Sequence, residues 1–302
     1  MIVDVKSSDN VIIIVNYNGS LDTISCINSI RNSTVNTSII IVDNCSSFKD
    51  YEEVKSKCVD VTIIRSNINL GFAGGNNLGI REALKYKNIK KIILLNNDTE
   101  VTSNCFKLLL DNLTEGVITT PKMLYFYDKK RIWYAGGHIN KITGRAIHNY
   151  MNKIDANLQQ GIMNCDFTSG CCMAFTVSDI QRIGFLEETY FMYCEDTEFC
   201  LRAIKNGLSI KYIPESVIYH KVSQSTGGGD SDFCLYYMTR NRMKYLKEYR
   251  SYFSVFAIPF TLISRYIRMI LYILKKDKRW KAINKGIIDF YSHVEGNSYN
   301  KG

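Results

Sequence analysis

The stretch Ile92-Ile93-Leu94-Leu95-Asn96-Asn97-Asp98-Thr99 constrains this chain more than any other. A run of aliphatic residues suits a strand covered on both faces. Its abrupt end in two amides and a carboxylate places an acid where open α/β sheets bind ligands, beyond the carboxyl end of a strand. Two similar runs precede it: Val11 to Val15, ending in Asn16-Tyr17-Asn18-Gly19, and Ser38 to Val42, ending in Asp43-Asn44. Ile24, Ile27 and Ile30 follow the first at helical spacing, a polar helix is expected over Tyr51 to Lys57, and Val61 to Ile64 forms a further strand. A helix from Ser103 to Leu113 follows the opening stretch. Strands alternating with helices predict a parallel sheet with right-handed crossovers, so the polar ends of these runs share one edge.

The chemistry at that edge is not a standard dinucleotide site. The turn after the first strand is Asn-Tyr-Asn-Gly rather than GxGxxG, and a P-loop is absent. Asp43 can accept the imide N–H of a uracil or thymine ring, and Gly71, Gly74 and Gly75 let a backbone approach closely. The alternatives are an Asp43 that caps the next segment and glycines that only make a tight turn.

The 46% hydrophobic and 12% aromatic content of the 302 residues indicates a globular protein. The ten cysteines lack CxxC spacing, and MIVDVKSSDN has no leader pattern, so reduced thiols and a cytoplasmic location are expected. The net charge of +9 is unevenly placed. Residues 236–302 carry 14 Lys+Arg against 4 Asp+Glu, and the remainder carries 24 against 25. A basic tail on a near-neutral body points to an anionic membrane surface as partner, not to nucleic acid. Tyr252 to Leu274 is strongly apolar but is interrupted by Pro259, Arg265 and Arg268, and its charge-free run, Ser251 to Ser264, is too short to span a bilayer. With Lys275, Lys276, Lys278, Arg279 and Lys281 beside it, this segment is expected to lie in the membrane interface. A homodimer or core helix and an inserted helix are the alternatives.

The series VNYNG, IIIVDNCS, NLGFAGGNN, ILLNNDTEV, SGCCMAF, YFMYCEDTEFCLRA and IPESVIYH, in that order between about Val11 and Tyr249, resembles the inverting family 2 glycosyltransferases of GT-A fold. Within them it is most similar to bacterial rhamnosyltransferase-like enzymes. The resemblance implies an α/β, doubly wound, mainly parallel sheet with a C-terminal helical extension. The catalytic domain would cover 1–235, with a nucleotide-binding part over 1–120 and a metal and acceptor part over 121–235, and a basic amphipathic extension would cover 236–302. The implied reaction moves a sugar from a nucleotide-diphosphate donor, deoxythymidine-diphosphate rhamnose or a UDP-sugar, to a hydroxyl of a glycan or lipid-linked acceptor. The implied setting is surface polysaccharide synthesis at the inner face of the cell membrane. A catalytically inactive nucleotide-sugar-binding subunit is the alternative, because the family's usual Asp-any-Asp is Asn96-Asn97-Asp98 here.

By the same resemblance, Asn16, Asn18, Asp43, Asn69, Gly71, Asn76, Asn96, Asn97 and Gly170 belong to the donor site, and Asp98 and His220 hold Mg or Mn. Asp196 is the general base. In the first turn of a helix, the macrodipole favours its ionised form, although the same position also suits a cap. Glu195, Trp133, Arg240 and Arg242 are assigned to the acceptor or a diphosphate. Transfer is expected as one in-line displacement with inversion and no covalent intermediate. Leu186 stands where family members often have Asp. The segment 121–163 is read as strands and a variable loop, His138 and His148 as structural, and the polar stretch 222–230 as a closing loop or linker.

Overall fold

The apolar runs form β1 (Asn10–Asn16), β2 (Ser38–Asp43) and, after β3 (Thr62–Arg65), β4 (Lys91–Asn96). The computed structural model describes residues 2–156, 158, 160–222 and 230–299. Ile12, Ile13, Ile40, Ile41, Ile93 and Leu94 are fully buried, as uninterrupted aliphatic strands require. The four strands pair in parallel in the order β3-β2-β1-β4. Register places Asn16 beside Asp43 and Val15 beside Asn96, so the polar ends do share one edge.

Between these strands lie α1 (Ser20–Arg31), α2 (Phe48–Lys57) and α3 (Gly71–Ala83). The last crossover runs back over β2 and β1, so right-handedness sets α3 on the face opposite α1 and α2. The helix α3 gives Gly75, read as part of a turn or a backbone cradle, a packing role that it shares with Gly79, while Gly71 at the start of the helix keeps a left-handed φ of +71°. A Cβ on Gly79 would overlap Ile13, and one on Gly75 would stand 2.9 Å from Val15 Cγ1. These glycines let the helix lie close on β1, a tertiary demand that overrides their poor helix propensity.

Beyond β4 come β5 (Thr99–Val101), α4 (Cys105–Asp111), β6 (Val117–Tyr125), β7 (Ile132–Tyr134), β8 (Gly137–Asn140), β9 (Arg145–His148) and β10 (Met163–Cys165). They are followed by β11 (Cys172–Thr176), α5 (Val177–Ile183), α6 (Glu195–Lys205) and β12 (Ser209–His220). The sheet continues from β4 through antiparallel β11 to β6 and β12, which run parallel to each other. Antiparallel β10 closes that edge, and β5 pairs with the end of β12. The strands β8 and β9 form a separate hairpin.

The chain ends in α7 (Asp232–Glu248), α8 (Ala257–Leu274) and α9 (Trp280–Tyr291). The expected boundary at residue 235 falls inside α7, because that helix belongs to two cores at once. Tyr245 and Leu246 are buried in the main core. Tyr236, Tyr237 and Met243 form a second core with Met269, Tyr272, Ile283 and Ile287. All ten cysteines are free, and eight are buried. Residues 223–229 of the expected closing loop lie outside the described residues.

Candidate active site

Because β5 pairs antiparallel with the last residues of β12, His220 is delivered to the turn that follows β4. Its Nε2 stands 3.2 Å from Asp98 Oδ1. Both side chains are largely buried, yet among the described residues Asp98 Oδ1 and His220 Nδ1 have no hydrogen-bond partner. Burial pushes the Asp98 carboxyl up, but the His220 ring, backbone hydrogen bonding and Lys221 outweigh it and hold the group below its ordinary range. A buried carboxylate oxygen and an imidazole with unspent lone pairs fit a divalent cation that completes its coordination with phosphate oxygens and water. Among the described residues no group of three or more His, Cys, Asp and Glu side chains is arranged to hold a metal ion.

Trp133 stands edge-on to His220, with ring centroids 4.5 Å apart, and edge-on to His148 at 4.7 Å. It serves as a wall that orients the His220 ring. His148 Nδ1 lies 3.0 Å from the Trp133 carbonyl, and burial depresses its pKa to about 4, so it stays neutral within this stack. His138 is exposed and lies 2.9 Å from Asn149 Oδ1.

At the β1–β2 edge, Asn16 is fully buried and its amide is spent inside the protein. Nδ2 donates to Asp50 (2.7 Å), Ser46 (3.2 Å) and Asp43 (3.3 Å), and Oδ1 accepts from Thr23 (2.8 Å). Its expected donor contact is corrected to an indirect one, since it holds Asp43 in place. The other Asp43 oxygen lies 3.1 Å from Arg65 Nε. Arg65 sits over the Tyr51 ring and donates to the Ser46 carbonyl. Sequence reading missed this cation, although it follows the apolar run Val61 to Ile64 and pairs in register with Asp43.

Asn69 also turns inward, its Oδ1 accepting from Gly71 N (2.9 Å) and Asn44 Nδ2 (3.1 Å). Asn76 donates to the Phe72 carbonyl, Asn97 to Thr23 Oγ1, and left-handed Asn18 accepts from Ser47 N. The Asn96 side chain is different. Its amide makes no hydrogen bond among the described residues and remains available two positions from Asp98.

The second acid is set by a loop with an unusual backbone. Phe191, Tyr193 and Cys194 all have positive φ, a conformation costing non-glycine residues about 1–3 kcal/mol each. Asn241 of α7 offsets that cost by donating to the carbonyls of Tyr190 (2.9 Å), Met192 (2.8 Å) and Tyr193 (2.8 Å). Arg240 beside it is buried, stacks on Tyr237, and donates to the carbonyls of Tyr190 and Gly296. Its expected contact with a diphosphate is therefore corrected, because the guanidinium is consumed inside the fold. Arg242 is buried too, but its Nε has no partner.

The loop delivers Asp196 to the first turn of α6, half-buried, with Oδ2 accepting from Gly170 N (3.1 Å) and Oδ1 from Thr197 N (2.7 Å). Burial raises its pKa, and the amides of Gly170 and Thr197 oppose the shift. Glu195 is more deeply buried and its Oε2 is unpartnered; burial, then the charge of Asp196, pushes it well up. Burial thus raises both carboxyls, and the charge of Asp196 adds to the rise of Glu195.

One hinge ties the two centres together. Asn96 N donates to Cys171 O (2.8 Å), and Gly170 N holds Asp196. A Cβ on Gly170 would stand 2.8 Å from the Phe72 ring, and Phe72 N in turn donates to Phe191 O. Asn77, not singled out in the sequence, fixes both sides of the Leu186 peptide, so the backbone there is pinned whichever side chain follows.

The pattern described as Glycosyl transferase family 2 matches residues 11–184. The chain is 28% identical over 244 residues to the low-salt glycan biosynthesis hexosyltransferase Agl10 of Haloferax volcanii, covering 76% of this chain and 73% of that protein. It is 26% identical over 223 residues to the dTDP-rhamnosyl transferase RfbF of Shigella flexneri, covering 71% and 69%. Among solved structures, GalNAc-T7 with UDP, GalNAc and Mn2+ superposes with a TM-score of 0.60 at 15% identity, covering 94% of this chain and 57% of that one. With the family pattern matched over more than half its length and a GT-A fold around the site, this chain belongs to glycosyl transferase family 2.

Proposed function

We propose that this protein is an inverting transferase that moves a sugar from deoxythymidine-diphosphate rhamnose or a UDP-sugar to a hydroxyl of a glycan or lipid-linked acceptor in surface polysaccharide synthesis. The observation that carries the proposal is the pairing, through one hinge, of Asp98 and His220 with a hydrogen-bonded Asp196. The similarity to a protein named as a dTDP-rhamnosyl transferase supports the rhamnose reading.

Mg or Mn would be held by Asp98 and His220, and when bound would neutralise charge on the departing diphosphate. Asp196 accepts the proton of the acceptor hydroxyl while that oxygen bonds to the anomeric carbon and the bond to the diphosphate breaks, inverting configuration. Glu195 is buried with its carboxyl pushed well up, whereas Asp196 is held by two amides, so Asp196 is the proton acceptor. Asn96 is placed to hydrogen-bond the donor ribose or a water.

The proposed setting is the inner face of the cell membrane. Helix α8 turns Ile263, Ile267, Ile270, Leu271 and Leu274 to solvent, and Lys275, Lys276 and Lys278 follow it. Its 18 residues are long and apolar enough to cross a bilayer, but one face packs on the protein, which favours lying in the interface.

A panel of purified nucleotide sugars, assayed with Mg or Mn for transfer or slow hydrolysis, tests the function. Metal-dependent turnover of one donor class is expected. Nucleotide binding without any turnover would instead favour a non-catalytic binding subunit.

A further inference from the structure

The exposed face of helix α8 is apolar, and its buried face carries Thr261 and, one turn later, Arg265 among Ala257, Met269 and Tyr272. Thr261 is fully buried and Arg265 is 7% exposed, and neither Thr261 Oγ1 nor Arg265 Nε has a partner among the described residues. Arg242, 8% exposed on α7, repeats the pattern with an unpartnered Nε. Arg202 and Arg268 pair with Glu198 and Asp230, but no carboxylate among the described residues pairs with Arg242 or Arg265. What they do touch is weak: Arg265 is 3.4 Å from the Met238 carbonyl, and Arg242 lies against the Tyr245 hydroxyl, which donates to the Gly144 carbonyl.

These cations also feel one another. Burial, then Arg242, Arg268 and Arg145, pulls the Arg265 pKa down to about 10, and burial and Arg242 lower that of Arg145. Burying unpaired cations side by side costs several kcal/mol per ion unless an anion joins them. The cluster reaches toward the loop that carries Asp196: Arg265 donates to the Met238 carbonyl, and the Met238 sulfur lies 4.0 Å from Cys194 Sγ, two residues before Asp196. Asp230, just before α7, is already bound to Arg268.

We propose that Arg242, Arg265 and Thr261 form a binding site for the phosphate or diphosphate ester of a lipid-borne acceptor, held beside Asp196 while its hydrocarbon lies along the exposed face of α8. Buried guanidiniums recognise phosphate oxygens by charge-assisted hydrogen bonds. Buried cations on α7 and α8 beside a helix whose outer face is apolar match an amphiphile with an anionic head. The inference rests on the transferase reading and deepens its acceptor side. The donor diphosphate shares this chemistry, so the test separates the two sources.

Calorimetry on the full chain uses farnesyl diphosphate and inorganic pyrophosphate in EDTA, and UDP or dTDP with Mn2+. Farnesyl diphosphate and pyrophosphate are expected to bind without metal. Arg242→Gln and Arg265→Gln should each weaken them about tenfold or more, leaving metal-dependent nucleotide binding within about twofold. Arg265→Lys should recover part of the loss. Unchanged farnesyl diphosphate binding in the Gln variants overturns the site, and parallel loss of nucleotide binding reassigns the cations to the donor. A thermal melt of the unmutated chain in EDTA gives an independent reading: farnesyl diphosphate should raise the midpoint, and no shift overturns the proposal. Nucleotide-sugar turnover without prenyl diphosphate binding removes this site alone, whereas absent turnover with prenyl diphosphate binding removes the transferase reading.

Discussion

His220 Nε2 and Asp98 Oδ1 lie 3.2 Å apart because β5 pairs with the last residues of β12. Asp98→Asn keeps the volume and removes the charge, so metal-dependent nucleoside-diphosphate binding should weaken about tenfold or more. Calorimetry with and without Mn2+ reads this directly, and an unchanged metal response would exclude Asp98 as a ligand. The depressed Asp98 pKa also adds stability that is present above the ordinary carboxylate range and lost as pH falls through the folded-state value. The variant should therefore show a flatter acid side in its melting profile.

Asp196 and Glu195 make opposite demands on pH. Both pKa values are raised by burial. Proton acceptance by Asp196 is lost as pH falls through its raised value, so the acid limb of kcat/KM is expected above the ordinary aspartate value of about 3.9. Asp196→Asn should abolish transfer while nucleotide binding stays within about twofold. Preserved turnover would remove Asp196 as the base. The stability contributed by Glu195 is fully present below its ordinary value and lost as pH rises through the folded-state value. Glu195→Gln should thus melt above the parent at about pH 8 and level with it at about pH 4.

Two glycines should respond differently to alanine. Gly71 has φ +71°, and a Cβ there would overlap the Phe191 carbonyl, which is backbone. Gly71→Ala is expected to cost about 2 kcal/mol or more in urea unfolding. At Gly170 the obstacle is the Phe72 ring, 2.8 Å away, which can turn. A smaller loss of about 1–3 kcal/mol is expected, with a disproportionate fall in kcat because the amide holding Asp196 shifts.

Asn241→Ala removes one donor shared by three carbonyls beneath a left-handed loop, of which Tyr190 keeps Arg240. A stability loss of about 2 kcal/mol or more is expected, with kcat lowered and KM for the nucleotide sugar little changed. Unaltered kcat would show that the loop holds Asp196 without this amide.

The outer face of α8 can be tested without disturbing the core. Ile263 is 59% exposed and Ile270 is 55% exposed. Replacing either with Glu should lower partitioning onto anionic vesicles about tenfold, at an unchanged melting temperature. Equal vesicle binding by the variants would sink the interfacial reading.

Most of the sheet was readable in the chain because burial on both faces writes itself locally. A strand covered on two sides must be aliphatic throughout, and its polar end must mark the sheet edge. Hence β1, β2 and β4, their common edge, and the places of Asp43, Asp98 and Asp196 followed from short runs of sequence, with the family resemblance supplying the roles. The helix α3 did not follow, because glycine disfavours helices and only the proximity of Ile13 and Val15 explains why it is used there.

Arg240 and Arg242 mark the limit most clearly. They sit two positions apart on α7 in a stretch that reads as uniformly basic and aromatic. One is saturated by carbonyls from the loop before α6 and from the chain after α9, and the other is buried facing Arg265 and Arg145 with its Nε unpaired. Sequence by itself determined that a helix would carry both cations. Tertiary structure alone decided which was saturated by carbonyls and which was left without a carboxylate among the described residues, because the partners of a buried charge come from segments distant in the chain.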